Sequence, residues 1–336
     1  SKSSPIAIQW SKIGKLTPWL IQFLKNCNSI SMKKTALHTS YLLKRALPDH
    51  QDLLQEIGSQ NLLTHRGVLY VWIDPQQQPN STQINIRSES GVEQIKLSGE
   101  EIRELEPNLS NQILGGWYFP KAHHTLDPDL ILKKLYQSFL SRGGQFQKEE
   151  VTSIKPREDT TQVNNNEYDQ LVVCTGAFSK CLVKQIEGQS IPLETERGYH
   201  IEFIKKNELL SRPTSLVESG MYLTPLHNRL RAVGTVELGG LHNKISQARI
   251  NYIARDAQRL LPLLQDYQNP WLGFRPTLPD CLPVLGKSPK FKNIFYAFGH
   301  NHLGWTLGPT TGKLITDLIY HGREISSVYS IDRYLT

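Results

Sequence analysis

A glycine-rich stretch near the carboxyl end of the chain decides the fold. It reads Phe298-Gly299-His300-Asn301-His302-Leu303-Gly304-Trp305-Thr306-Leu307-Gly308-Pro309-Thr310-Thr311-Gly312. The apolar run 294–298 before it predicts a strand, and residues 313–321 after it predict a helix that Gly322 ends. Glycines let the backbone approach a ligand, and a helix start offers N–H groups without acceptors. The stretch therefore indicates a ligand-binding turn in an α/β domain.

A second strand, glycine turn and helix occur earlier, at residues 171–179. The apolar run Leu171-Val172-Val173-Cys174 predicts a strand buried on both faces. Gly176 follows it, between Thr175 and Ala177, and would let the backbone come close to a flat or anionic ligand. An ordinary structural turn explains the same residues equally well.

Between the two turns lies an arginine in a proline-rich segment, Gly273-Phe274-Arg275-Pro276. A guanidinium group there could bind a carboxylate in a bidentate manner, or it could form a structural ion pair with Asp280 or another acid. His300 and His302 raise the question of a metal. Because no acidic or cysteine partner lies near them in sequence, we expect no metal site.

The remaining elements predict a mixed order. Asp127-Pro128 opens a helix over 128–141, and Ser98 with Glu101 matches a capping box. A strand is expected at 145–154, and a block of strands at 198–204, 216–224 and 229–236 precedes a helix at 246–264. We therefore predict an α/β (α+β) protein in which a mainly antiparallel domain is inserted into a nucleotide-binding type of domain.

The first fifty residues hold eight Lys or Arg and one acid, Asp49, whereas the net charge of the whole chain is +7. A uniformly basic nucleic-acid binder is therefore not expected. A helix is predicted from Thr17-Pro18 to Leu24, and another over 32–47 that stops at Pro48. The basic residues with Trp10 and Trp19 could dock weakly on an anionic membrane, or form a solvated face beside core aromatics.

Composition limits the other classes. No apolar run is long enough to predict a transmembrane helix. The four cysteines show no C-x-x-C spacing, so a disulfide framework is not expected, and a reducing cytoplasm is the simplest location.

Several of these segments together resemble one family, in the order that the family has them. They are Glu194-Thr195-Glu196-Arg197-Gly198-Tyr199-His200, Gly234-Thr235-Val236-Glu237, the Gly-Phe-Arg-Pro stretch and Gly-His-Asn-His-Leu-Gly. The chain resembles FAD-dependent D-amino-acid dehydrogenases and, more distantly, glycine oxidase, sarcosine oxidase and D-amino-acid oxidase. The resemblance runs from about residue 98 to 322 and is loose over residues 1–60.

The resemblance implies roles for individual residues. Arg275 and Tyr222 match residues that bind the substrate carboxylate, and His302 matches a second substrate position. We also expect Glu237 at the substrate. The implied FAD-binding residues are Val151, Thr175, Gly176, Ala177, His300, Asn301, His302, Leu303, Gly304, Trp305 and Thr306.

The resemblance also implies an FAD-binding GR2-type domain with an inserted substrate-binding domain. We expect a helical connector at 1–60, the substrate-binding domain at 61–125 and 188–270, and the FAD-binding domain at 126–187 and 271–336. Family members begin with a strand, G-x-G-x-x-G and a helix that hold the FAD pyrophosphate. These 336 residues contain no such motif. We therefore expect the domain to be incomplete at its N-terminus and FAD to belong to a longer parent protein.

The implied activity is oxidative deamination of a D-amino acid, or a similar small amino acid, to a 2-oxo acid. Electrons would pass to a quinone or another acceptor, and the expected location is cytoplasmic, with possible peripheral contact on the inner membrane. Two alternatives stay open: an inactive remnant or binding module without FAD, and an oxygen-using amino-acid or amine oxidase.

Overall fold

The computed structural model describes residue 4 and residues 6–242 and 244–335. The chain divides into two compact units. Unit 1 contains the described residues of Ser1–Gln9 with Leu54–Ser138 and Arg197–Gly273; unit 2 contains Trp10–Leu53, Phe139–Glu196 and the described residues of Phe274–Thr336. Most of the first sixty residues, Trp10–Leu53, fall within unit 2.

The chain alternates helices with strands. The α-helices are α1 (Ile13–Asn26), α2 (Ser29–Glu56), α3 (Ser81–Glu89), α4 (Gly99–Leu105), α5 (Pro128–Ser141), α6 (Ser179–Glu187), α7 (Gln247–Leu260) and α8 (Gly304–His321). The strands of unit 1 are β1 (Ile6–Ile8), β2 (Leu63–Thr64), β3 (Val68–Trp72), β4 (Ile95–Ser98), β5 (Gly115–Phe119), β6 (His124–Thr125), most of β11 (Glu194–Ile204), β12 (Thr214–Leu216), β13 (Met221–Leu226), β14 (Arg229–Leu238) and the first part of β15 (Gln268–Thr277). Those of unit 2 are β7 (Ile154–Pro156), β8 (Thr161–Val163), β9 (Asn166–Tyr168), β10 (Leu171–Val173), β16 (Val284–Lys287) and β17 (Ile294–Phe298).

Unit 1 is built on one large mixed sheet in the order β15-β11-β14-β13-β12-β3-β5-β4, with β1 added beside β14. β12, β13 and β14 pair antiparallel, as do β3, β4 and β5, whereas β3 and β12 run parallel. One face of this sheet packs in the core with α7, which buries Ile250, Ile253, Ala257 and Leu260 at helical spacing.

Unit 2 contains a smaller sheet, β10-β17-β16, and the antiparallel β7-β8-β9 ribbon. β10 and β17 run parallel, so their carboxyl ends lie at the same edge. The core of this unit joins Val173, Val183 and Ile186 to Ile294 and Tyr296. The predicted mixed α/β class is confirmed.

Several predicted boundaries hold and others are wrong. α5 begins at Pro128, β17 spans the predicted residues, and the Ser98–Glu101 capping box is formed. Residues 145–153 form no strand, and α2 runs through Pro48 without ending. α1 begins before Thr17 and keeps Pro18 as its sixth residue, where the missing N–H removes the hydrogen bond to the Gly14 carbonyl without ending the helix.

No helix within the described residues combines the length and the apolar character needed to cross a membrane.

Candidate functional site

The turn after β17 lies against the end of β15, and Asn301 fastens it there. Asn301 donates its backbone N–H to the carbonyl of Pro276 at 3.0 Å and its side-chain amide to the carbonyl of Cys281 at 3.0 Å. Asn301 and Cys281 both adopt positive φ, 51° and 59°, a backbone conformation that is strained for residues other than glycine. The glycine-rich turn and the strand that carries Arg275 are therefore adjacent within unit 2.

Arg275 is half-buried and has an acid close by. Burial lowers the pKa of its guanidinium group, and the charge of Glu196 opposes that shift. Burial likewise raises the pKa of Glu196, against the attraction of Arg275. Asp280, the other acid considered from the sequence, instead pairs with Arg333 at 2.8 Å.

The two histidines of the turn have low proton affinity. Loss of surrounding water lowers the pKa of His302, and the positive charge of Arg275 adds to the effect, although part of the side chain stays exposed. Burial lowers the pKa of His300 to about 4, and its Nε2 lies 2.9 Å from the Thr311 hydroxyl. Both rings are therefore neutral at pH 7, so Arg275 is the cation of this group.

Helix α8 begins at Gly304, nine residues earlier than the predicted helix. Gly304, Gly308 and Gly312 are four residues apart and share one face, where an added Cβ on Gly308 or Gly312 would meet no atom within 4 Å. That bare face lines a cavity of about 600 Å³. Its other lining residues are Val172, Cys174, Gly176, Pro276, Ala297, Phe298, Gly299, His300, Asn301, Thr311, Ile315, Thr316 and Ile319.

This cavity suits the flavin-bearing part of FAD. The first-turn N–H groups of α8 have no intrahelical acceptors and carry partial positive charge. The buried side-chain oxygen of Asn301 also has no hydrogen-bond partner among the described residues. The first turn of α8, Asn301 and the bare glycine face could therefore hold the cofactor's ring system.

Helix α8 is held in place by two residues of α2 that the sequence analysis did not single out. Pro309 has no N–H, so it cannot bond the carbonyl of Trp305 one turn earlier. His50 replaces that donor, with Nε2 at 3.0 Å from the Trp305 oxygen. The neighbouring Asp49 accepts from the Thr310 hydroxyl at 2.7 Å and pairs with Lys313 at 2.9 Å.

The first glycine turn has a different setting from the one expected. Val173 is buried, but Val172 and Cys174 are exposed, so β10 is not covered on both faces. Among the described residues β10 pairs only with β17, which makes it an edge strand. Gly176 adopts φ 57° and lines the cavity, whereas Thr175 bonds Ser179 at 3.0 Å and Ala177 is buried. Val151, expected on a strand, lies in irregular backbone against the unit 2 core.

Tyr222, in unit 1, belongs to a row of residues that crosses the large sheet. The register pairs Tyr222 with Ser215, Ser215 with Tyr70, and Tyr70 with Trp117. Paired residues point to the same side, and this side is opposite the α7 core. The Tyr222 hydroxyl donates a hydrogen bond to the Tyr70 hydroxyl at 2.6 Å. The pKa of Tyr222 is raised mainly by burial and, to a smaller extent, by the neighbouring Tyr70 hydroxyl.

Glu237 has partners within its own unit. Its carboxylate pairs with the fully buried Arg197 at 2.9 Å and accepts hydrogen bonds from the Tyr199 hydroxyl and from Gln9. Arg197 also donates to the carbonyl of Lys244 at 2.7 Å. The substrate-binding role expected for Glu237 stays a prediction, and the structure gives this carboxylate a buried cation as its principal contact.

No group of three or more His, Cys, Asp or Glu side chains in the described ranges could hold a metal ion.

The chain is similar to proteins named D-amino-acid oxidase and D-amino acid dehydrogenase over nearly its whole length. It is 31% identical to a D-amino-acid oxidase of Bradyrhizobium diazoefficiens over 327 residues, which is 94% of this chain and 77% of that protein. It is 29% identical to a D-amino acid dehydrogenase of Vibrio atlanticus, over 99% of this chain and 83% of that protein. Glycine oxidase from Geobacillus kaustophilus has the same fold, with a TM-score of 0.76 over 90% of this chain and 83% of that one, at 23% identity.

The sequence model of the family described as FAD dependent oxidoreductase (DAO) matches residues 14–318. The match begins well before residue 98, so the loosely matching N-terminal helices are part of the family region. The resemblance expected from the sequence motifs is thus confirmed, and the chain belongs to the family of FAD-dependent oxidoreductases.

Proposed function

We propose that this protein oxidises a D-amino acid, or a similar small amino acid, to the 2-oxo acid, and that Arg275 binds the substrate carboxylate. The observation that carries the proposal is the attachment of the glycine-rich turn to Pro276 by Asn301. It places a half-buried guanidinium group beside a turn and a bare helix face that suit a flavin.

The overall reaction converts the amino acid and water to a 2-oxo acid and ammonia, with release of two electrons and two protons. Bound FAD would accept the electrons. Arg275 would bind the substrate carboxylate in a bidentate manner and so fix the direction of the Cα–H bond. Catalysis would then depend mainly on the orientation of the substrate. His302 would lie beside the carboxylate. Its ring would be neutral there, because burial and the charge of Arg275 lower its pKa. Tyr222 and Glu237 would contact the substrate, as the family resemblance implies.

We also propose that electrons pass to a quinone or a similar membrane carrier. The exposed apolar residues Trp10, Leu24 and Ile30 lie in a segment that also carries Lys25 and Lys33, which suits an anionic membrane surface. Flotation with anionic vesicles, but not with zwitterionic ones, is the expected result. Fast reoxidation by oxygen without any quinone effect would instead favour the oxidase.

The test of the function is Arg275→Ala in the flavin-loaded, full-length protein. We expect kcat/KM for a D-amino acid to fall on the order of 100-fold, or about 3 kcal/mol, because the carboxylate loses a charged partner. Arg323→Ala, which removes a largely exposed arginine beyond α8, is the control and should leave kcat/KM unchanged. A loss below about threefold for Arg275→Ala would remove the carboxylate role.

A further inference from the structure

Unit 1 has a cavity of its own, about 610 Å³ in volume, whose lining residues all belong to that unit. Alternate residues of β11 and β14 line it, among them His200, Glu202, Arg229 and Arg231, together with Trp271 of β15. The intervening residues of β11 pack in the core with α7, so the cavity lies on the opposite, polar side of the sheet. A volume of several hundred Å³ is enough for a small organic ligand.

Trp271 supplies a flat aromatic surface in this cavity. Its indole is 54% exposed and stacks on the His200 ring, with 4.8 Å between the ring centres and 18° between the planes. A Cβ added to Gly273 would lie 2.1 Å from the indole atom Cη2, so the indole lies over a residue that has no side chain. Burial, and then the charge of Arg231, lowers the pKa of His200 to about 4, so its ring is neutral at pH 7. The indole therefore offers an apolar face to a planar ligand.

Glu202 positions two arginines on the same side of the sheet. Its side chain is 8% exposed, and its Oε1 accepts hydrogen bonds from Arg229 and Arg231, each at 2.8 Å. Its Oε2 accepts from the side-chain amide of Asn269 at 3.0 Å. Burial opposes the ionisation of Glu202, but these hydrogen bonds outweigh it, and the pKa is lowered. Two guanidinium groups thus share one buried carboxylate.

The two arginines differ in their remaining hydrogen bonds. The three nitrogens of Arg229 donate to Glu202, Asn228 and Asp129. Arg231 donates from Nε and Nη2 to Glu202, and its Nη1 has no hydrogen-bond partner among the described residues. The side chain of Arg231 is 24% exposed, so a ligand can reach it. Arg231 therefore supplies a cationic donor near the aromatic surface.

From these contacts we infer that the cavity of unit 1 binds a planar aromatic ring that carries one anionic group, either a carboxylate or a phosphate. The ring stacks on Trp271, and the anionic group accepts a hydrogen bond from Nη1 of Arg231. A ligand with only the ring or only the charge makes half of these contacts and binds more weakly. Neither Arg275 nor the glycine-rich turn takes part, so the inference is independent of the proposed function.

Calorimetric titration of the flavin-loaded, full-length protein, with excess FAD to fill the cofactor site, tests the class of ligand. Indole-3-acetate should bind at least about tenfold tighter than cyclohexylacetate, which lacks the flat ring, and than indole-3-acetamide, which lacks the charge. AMP is compared with adenosine in the same way, and the tighter of AMP and indole-3-acetate identifies the anionic group as phosphate or carboxylate. Equal affinities within both sets of ligands overturn the inference.

Variants locate the bound ligand. Trp271→Leu and Arg231→Met should each weaken the tighter ligand about tenfold, and Arg231→Lys should recover part of the loss. Gly273→Ala should weaken it severalfold, because the added methyl group displaces the indole. The controls are Trp10→Leu, which removes another exposed indole, and Arg255→Met, which removes another arginine paired with an acid. Both should change the affinity by less than about twofold, and losses in the folded controls equal to those of Trp271→Leu would overturn the inference.

Arg275→Ala separates this site from the substrate site, because Arg275 binds a carboxylate in the proposed function. Binding that Arg275→Ala abolishes and Arg231→Met leaves unchanged belongs to the substrate site and overturns the inference. Binding that Trp271→Leu weakens and Arg275→Ala retains supports it, whatever the result for amino-acid oxidation. Thermal unfolding shows which variants are folded. If Arg231→Met is unfolded because Glu202 loses a cation, Trp271→Leu, which alters an exposed side chain, still decides.

Discussion

Arg197 and Arg87, both in unit 1, lie against tyrosine rings, and they differ in their hydrogen-bond partners. Arg197, 6.0 Å from the Tyr199 ring centre, has Glu237 and a backbone carbonyl as partners and is fully buried. Arg87, over Tyr70, has a buried nitrogen without a partner. Residues of the chain itself supply the hydrogen-bond partners of Arg197. The buried Nη1 of Arg87 has no such partner among the described residues. The difference teaches that stacking alone does not distinguish a structural arginine from a binding one, whereas its hydrogen-bond partners do.

The largest expected effect on stability comes from removing Arg197, the cation that pairs with Glu237. Arg197→Met should lower the free energy of unfolding by about 3 to 5 kcal/mol, because it leaves the Glu237 carboxylate buried without a cation. Arg87→Met should change it by less than about 1 kcal/mol. Both are measured by urea unfolding followed by circular dichroism.

A double variant sharpens this test. Arg197→Met with Glu237→Met removes both charges and should recover much of the lost stability, since replacing a buried ion pair by apolar groups is often close to neutral. If Arg87→Met destabilised the protein as much as Arg197→Met does, the contrast between the two clusters would disappear.

The next largest effect on stability is expected at a hydrogen bond in unit 2, which His50 donates to the Trp305 carbonyl. His50→Leu should lower stability by about 1 to 2 kcal/mol, because Pro309 supplies no substitute donor. Hydrogen exchange of the Thr310 and Thr311 amides should become about tenfold faster. His50→Gln, which keeps a donor, should show less than half of either change, and equal effects for Leu and Gln would mean that the ring acts by packing.

The smallest effect is a pH dependence of KM, and it is expected from Arg275 and Glu196, which are both half-buried and interact through their charges. Burial raises the pKa of Glu196 above its usual value of 4.5. Below that pKa the carboxyl is neutral and leaves Arg275 to the substrate; above it the carboxylate competes for the same cation. KM for the amino acid should therefore rise a few-fold as pH increases through this pKa, and Glu196→Gln should remove the rise. An unchanged pH profile in the variant would assign the titration to another group.

Local patterns predicted the elements whose boundaries are set by local chemistry. Asp127 and Pro128 fix the start of α5, and five apolar residues fix β17. The patterns failed where tertiary context decides. The glycines of α8 indicated a loop, yet they continue a helix whose bare face lines a cavity. The apolar β10 run indicated full burial, but burial depends on neighbours that a strand's own residues do not specify.

The candidate site divides in the same way. The sequence predicted Arg275 and the turn at 300–306, which lie in motifs with a recognisable order. It did not single out Tyr70 or His50, since their contacts join residues 152 and 255 positions apart. Nor did it single out Arg87, whose contacts with Tyr70 and Phe119 come from the packing of α3 beside the sheet. Glu196 could have been noticed, because it alternates with Arg197 on a strand and so faces the side opposite the core.

The row that joins Trp117, Tyr70, Ser215 and Tyr222 makes this surface vulnerable to a single insertion. One additional residue in β3 before Leu69 would shift every later side chain of that strand to the other side. Leu69 would then stand next to Ser215, and Tyr70 would point into the apolar core. Insertions should therefore be tolerated in the connections between strands and not within β3.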